Sequence, residues 1–256
     1  MTTHNDLILD QFTKQAIPFA TAPGIKDEEA LKFIVEFSGA GGNDTVLDVA
    51  CGPGLVACAF ACVARQVTGI DLTPAMVDQA RTLQKKKGLV NISWQVGDVL
   101  PLPYPNASFS LAVSRYAFHH FLDPGAVLAE MKRTCAPGGR VMVVDVTASP
   151  DPEKAAAYNH MEKLRDPSHV RGLPLFELEA LFNHVGLPAP RKAFYRVEFD
   201  LEDTLQRSFP NLGDADKIRQ IFLATLENDG LGMNARRDGE RIRFDYPIAV
   251  LLSATS

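Results

Sequence analysis

The chain has 256 residues, enough for one substantial core or one domain with a smaller appendage. A hydrophobic fraction of 46% and a charged fraction of 22% are ordinary for a globular protein. The net charge of -5 argues against a general nucleic-acid binder, which needs a basic face.

The start, Met-Thr-Thr-His-Asn-Asp, lacks a basic segment followed by an apolar stretch, so no signal peptide is read there. The longest apolar run, Leu55 to Ala64, falls far short of the about 20 residues that span a bilayer. A soluble, cytoplasmic protein without membrane insertion is expected. Phe12, Ala16 and Phe19 recur at helical spacing, and after Pro23-Gly24 a second helix carries Leu31, Ile34, Val35 and Phe37.

A regular alternation then begins. Thr45 to Ala50 reads as a buried strand, Leu55 to Ala64 as a helix, and Gln66 to Ile70 as a strand. Thr73-Pro74 starts a helix that Gly88 can end, with Thr73 as the cap. Asn91 to Val96 is a strand, Pro101 to Pro105 a proline-rich loop, and Phe109 to Ser114 another strand. Asp123-Pro124 starts the next helix, and Pro137-Gly138-Gly139 turns the chain into the strand Val141 to Val146. Five apolar strands, most separated by helices, predict a doubly wound, mostly parallel α/β sheet whose ligands bind beyond the carboxyl ends of the strands.

From Ser149 the pattern changes. Helices over Glu153 to Leu164 and Leu175 to Val185 precede an alternating run, Ala193 to Phe199; after more helix, Arg241 to Ala254 closes the chain as a strand. The chain reads as one domain, 1–256. Its parts are a helical lid over 1–40, a cofactor-binding core over 44–147, and substrate-side helices and edge strands over 148–256. Cys51, Cys58, Cys62 and Cys135 have no CxxC spacing, so no metal site is expected; Cys58 and Cys62 read as buried apolar residues on one helix face.

The stretch Gly52-Pro-Gly54-Leu-Val-Ala57 formally satisfies the dinucleotide fingerprint, and Asp71 sits where an acid can bind ribose hydroxyls. Asp48 argues against a dinucleotide, because a pyrophosphate gains nothing from a nearby carboxylate. A ligand with an ammonium or sulfonium group does gain. S-adenosylmethionine carries both, plus a ribose for Asp71 and an adenine for Asp98, the acid after the third strand. An NAD(P) oxidoreductase and a non-methylating binding module on the same fold stay open as alternatives.

"VLDVACGPG", "VTGIDLTPAMVDQA", "GDVLPLPYPNASFSLAVSRYAFHHFLDP" and "EMKRTCAPGGRVMVVD" arrive in order over Thr45 to Val146. In combination they resemble the Rossmann-like S-adenosylmethionine-dependent methyltransferases, most of all the ubiquinone/menaquinone-biosynthesis branch. At "SRYAFHHF" the chain departs from the quinone C-methyltransferases. The resemblance implies a seven-stranded sheet with helices on both faces and a helical cover over the cleft. It implies that Asp48 and the Ala50 to Gly54 loop, including Gly52, hold the methionyl portion. Asp71 would bind the ribose with Leu72 packed nearby, Asp98 and Val99 would clamp the adenine, and Ser114 would face the cofactor.

Methyl transfer is an in-line displacement, and a base is needed only where the accepting atom carries a proton. The resemblance places the segment after the fourth strand at the methyl-donor pocket, which makes His119 a candidate base over its neighbour His120. The loop Asp166-Pro-Ser-His-Val-Arg offers His169 as a second base and Arg171 as a partner for an anionic substrate group. Phe19 and Tyr116 are candidate substrate contacts, Arg115 a partner for Asp145, and Trp94 a packing residue. The expected activity is methylation of a small organic acceptor at carbon or oxygen, a hydroxylated aromatic or quinone-like compound. Nucleic acid is disfavoured as a partner by acidity and by the missing N/D-P-P-Y/F run.

Overall fold

A computed structural model describes residues 2–22 and 26–255. The expected break at Pro23-Gly24 lies outside the described residues. The sheet runs in the order β3 (Ile92–Val96), β2 (Gln66–Asp71), β1 (Thr45–Val49), β4 (Phe109–Arg115), β5 (Cys135–Val146), β8 (Arg241–Ala254), β6 (Arg191–Asp200). β1 to β5 pair in parallel, and β8 runs antiparallel to both β5 and β6. This path has the seven strands expected. A short eighth strand, β7 (Arg236–Asp238), forms a hairpin with the start of β8.

Parallel strands covered on both faces need apolar side chains on both, and the central runs show it. In β1, Val46 packs into one buried cluster with Leu111 and Phe60, while Leu47 packs into the other with Ala112 and Leu128. α2 (Glu28–Ser38), α3 (Leu55–Ala61) and α9 (Asp214–Thr225) supply the first cluster. α5 (Pro124–Thr134) and α7 (Leu175–His184) supply the second. α4 (Pro74–Lys87) packs beside α3. α6 (Pro152–Arg165) and α8 (Leu201–Ser208) lie on the substrate side, and α1 (His4–Thr21) packs against both α4 and α8. Among the described residues no helix is long and apolar enough to cross a membrane.

Three local expectations change. α3 stops at Ala61 rather than Ala64, because the Asn91 side-chain amide donates to the Ala61 and Ala64 carbonyls, both at 3.0 Å. Cys58 is buried, but Cys62, just past the helix end, is exposed rather than buried. Thr73 precedes α4 without a side-chain capping bond; instead Asp71 Oδ1 accepts from the Thr73 amide at 2.8 Å. Asp123 does cap α5, accepting from the Ala126 amide at 2.8 Å. Trp94 packs as expected, with its Nε1 donating to Gln84 Oε1 at 2.6 Å.

Candidate active site

Strand order reverses between β1, which leads outward to β2 and β3, and β4, which leads to β5. Such a reversal leaves a crevice at the carboxyl ends of the strands. A solvent-open cavity of about 1220 Å3 lies there, lined by the Ala50–Pro53 turn, Asp71, Leu72, Asp98, Val99 and Tyr116.

The turn after β1 is left-handed at three places: Ala50 at φ +55°, Gly52 at +51° and Gly54 at +79°. Its two glycines serve different needs. A Cβ on Gly52 would meet nothing within 4 Å, so its backbone stays open to a ligand. A Cβ on Gly54 would lie 2.6 Å from the Trp94 ring and 2.7 Å from Ala80 Cβ, so this glycine lets β3, α3 and α4 close up.

Asp71 closes the turn: its Oδ2 accepts from the Gly52 amide at 2.8 Å. Burial pushes its pKa up, although the Thr73 and Gly52 amides oppose this. Each carboxylate oxygen keeps an acceptor site beyond the amide it holds, which suits a vicinal diol. Asp98 is exposed, with Oδ1 accepting from the Leu100 amide at 3.1 Å and Oδ2 from Asn5 Nδ2 at 2.8 Å. The residues present therefore fit a nucleoside ligand at two of the three acids.

Asp48 differs. It is buried, is absent from the cavity lining, and accepts from the Ala57 amide at 2.9 Å, which ties β1 to α3. Burial pushes its pKa up to about 8; the amide and Arg115 pull it down, and Asp71 raises it. It stands beneath the cavity rather than at its surface. Gly54 and the buried Ser114 also lie behind the cavity wall.

A second solvent-open cavity, about 860 Å3 including the solvent at its mouth, adjoins the first and shares Phe12, Phe19, Tyr116 and His120 with it. Tyr116 sits at the junction with φ +58°, its hydroxyl 2.8 Å from that of Tyr195 and the Arg115 guanidinium 4.0 Å from its ring. A non-glycine residue in this region is strained, and such strain is common where side chains are aimed into a site.

His119 lines this second cavity. Its Nδ1 lies 2.7 Å from Asp145 Oδ1, and its backbone amide donates to Asp145 Oδ2 at 3.0 Å. A carboxylate only accepts, so Nδ1 carries the proton and Nε2 remains for a ligand. Burial pushes the His119 pKa down, but the charge and hydrogen bond of Asp145, with Glu162 beyond, outweigh it and hold the group above its ordinary value. Asp145 thus belongs to His119, not to Arg115 as the sequence suggested. Its signal was its place at the end of an apolar strand, the same rule that marks Asp71.

The sequence puts His169 and Arg171 together at the cleft, but the structure separates both from the two cavities. His169 is fully buried, its Nε2 donating to Asn159 Oδ1 at 2.8 Å while burial and neighbouring His119 press its pKa down. Arg171 pairs with Glu177 through two hydrogen bonds at 2.6 and 2.7 Å. The loop instead braces His119, whose carbonyl accepts from the Val170 and Arg171 amides at 2.9 and 3.0 Å. Sequence reasoning missed Glu162, Arg165 and Tyr246, which line the second cavity from α6 and β8. Nothing local marks them, because a buried charge shows only once its partner is placed beside it.

Residues 47–143 match the family model described as a methyltransferase domain. The chain is 31% identical over 230 residues to the uncharacterized methyltransferase YcgJ of Bacillus subtilis, covering 86% of this chain and 91% of that protein. The crystal structure of YcgJ superposes with a TM-score of 0.82 at 27% identity, over 89% of this chain and 98% of that one. The demethylmenaquinone methyltransferase of Deinococcus radiodurans is 42% identical over 102 residues, 39% of this chain and 42% of that protein. The chain belongs to the S-adenosylmethionine-dependent methyltransferases. It is an enzyme whose cofactor is S-adenosylmethionine, and this sets aside the oxidoreductase reading.

Proposed function

We propose that the enzyme methylates a small organic acceptor, a hydroxylated aromatic or quinone-like compound, at a carbon or oxygen atom whose proton His119 removes. One observation carries this reading: His119, held by Asp145 at 2.7 Å, lines an aromatic cavity that adjoins the cofactor cavity. The sulfonium methyl group supplies the electrophile when the cofactor is bound.

The chain's own residues do the rest. The backbone from Ala50 to Pro53 takes the methionyl portion, with Gly54 closing the turn from behind; Asp71 takes the ribose hydroxyls with Leu72 beside it, and Asp98 with Val99 the adenine. Asp48 and Ser114 support that wall from behind. Phe19 and Tyr116, common to both cavities, position the acceptor and keep water from the line of transfer. His119 Nε2 takes the proton as the new bond forms, and Asp145 stabilises the imidazolium. His169 and Arg171 are positioning residues, acting through the backbone that braces His119.

The test is transfer of labelled methyl from S-adenosylmethionine to a panel of phenols, quinols, amines, thiols and carboxylates. Label on phenols or quinols is expected; label confined to amines or thiols would overturn the reading.

A further inference from the structure

The ionised side chains of the acceptor cavity are matched within the protein, with one exception. Glu162 Oε2 accepts from Arg165 Nε and Nη2 at 2.9 and 2.5 Å, and its Oε1 from the Tyr246 hydroxyl at 2.6 Å. Arg165 Nη1 also donates to Ser208 Oγ at 3.1 Å. His119 has Asp145, and Asp166 Oδ1 accepts from the amide and hydroxyl of Ser168 at 2.8 and 2.5 Å. Arg207 stands apart. It lines the cavity from the last turn of α8, half-buried, and among the described residues no carboxylate lies within 4.0 Å of it. The acid one turn back on its own helix, Asp203, faces Arg241 instead, at 3.8 Å.

An arginine at a helix carboxyl terminus complements the helix dipole wherever it points. Here it borders a cavity walled by Phe12, Phe199 and Val197. A guanidinium beside such walls loses hydration without gaining a counter-charge, and an arriving anion restores what was lost through a charge-assisted, two-point hydrogen bond.

We propose that the acceptor carries an anionic group, a carboxylate, sulfonate or phosphate, on its apolar body, and that Arg207 binds this group while His119 faces the atom to be methylated. This role replaces the one the sequence suggested for Arg171. The inference rests on reading this cavity as the acceptor site.

The experiment uses two probes of one shape, anionic 8-anilinonaphthalene-1-sulfonate and neutral N-phenyl-1-naphthylamine. Their binding is followed by fluorescence on protein saturated with S-adenosylhomocysteine, which fills the other cavity. Arg207→Gln is expected to weaken the sulfonate probe about tenfold and leave the neutral one within about twofold, with Arg207→Lys recovering most of the loss. Equal weakening of both probes, or of neither, overturns the proposal. Thr204→Trp, which fills the cavity from α8, is expected to abolish binding of both; undiminished sulfonate binding there also overturns it. Failure of S-adenosylhomocysteine itself to bind, measured by calorimetry, would instead strike the reading of the two cavities.

Discussion

Asn5 and Asp98 join α1 to the wall of the cavity at the sheet's switch point: the Asn5 side-chain amide donates to Asp98 Oδ2 at 2.8 Å. One residue earlier, His4 Nε2 donates to the His120 carbonyl at 2.7 Å. The first turn of α1 therefore borders the cavity, and Asn5 occupies one oxygen of the carboxylate proposed to receive an adenine amine. Asn5→Ala is expected to speed release of S-adenosylhomocysteine about threefold, as loss of one exposed hydrogen bond allows. Stopped-flow displacement measures it, and an unchanged rate means that α1 does not gate the cavity.

Asp48 is expected to make cofactor affinity depend on pH. Its pKa of about 8 in the free protein means that it is mostly protonated at neutral pH, because burial disfavours the charge. A cationic ligand nearby favours the ionised form, so binding releases a proton and affinity rises as pH climbs toward 8. S-adenosylmethionine should show a steeper rise than S-adenosylhomocysteine, which has lost the sulfonium charge. Calorimetry in buffers of different ionisation enthalpy reads the proton release, and Asp48→Asn should abolish it.

The buried histidines set a lower pH limit on stability. His169 is pressed below its ordinary value by burial, then by His119, and His120 is lowered for the same reasons. Both are held neutral in the fold, so their contribution is present above the unfolded value of about 6.5 and is lost as pH falls below it. Each costs about 2 kcal/mol between pH 6.5 and 5. Thermal unfolding should therefore show a falling Tm over that interval, and His169→Gln should flatten the fall.

The two glycines of the turn after β1 separate stability from binding. Gly54→Ala forces a Cβ against the Trp94 ring and Ala80, and is expected to cost about 2 kcal/mol or more in urea unfolding. Gly52→Ala meets no atom within 4 Å and costs only the left-handed conformation, about 1 kcal/mol. Its effect should fall on S-adenosylhomocysteine affinity, since the added methyl enters space the ligand needs. Equal stability losses in the two variants would contradict this division.

The half of the molecule built from local rules was legible in the sequence. Acids at or just past the ends of strand-like runs, Asp48, Asp71 and Asp98, marked β1, β2 and β3, and glycines at 52 and 54 marked the turn. Sequence order cannot tell an acid beside a cavity from one beneath it, so from sequence Asp48 reads as a contact residue. The acceptor side was less legible. His119 meets Asp145 across 26 positions, and Tyr246 meets Glu162 across 84, so neither pair leaves a local pattern. The three-residue β7 is too short for periodicity to reveal, and Arg207 gains its meaning only when α8 packs over the cavity.

The proposed proton transfer depends on the His119–Asp145 pair. The most direct test compares labelled-methyl transfer by the wild type, His119→Gln and Asp145→Asn with the best acceptor from the panel, across pH. His119 must be neutral to accept a proton, so wild-type turnover should rise with pH through a value above about 6.5, where Asp145 holds it. His119→Gln should lower turnover about 100-fold or more and remove that rise, with S-adenosylhomocysteine affinity unchanged. Asp145→Asn should shift the rise to lower pH. Turnover and pH profile in His119→Gln equal to those of the wild type would rule out His119 as the base.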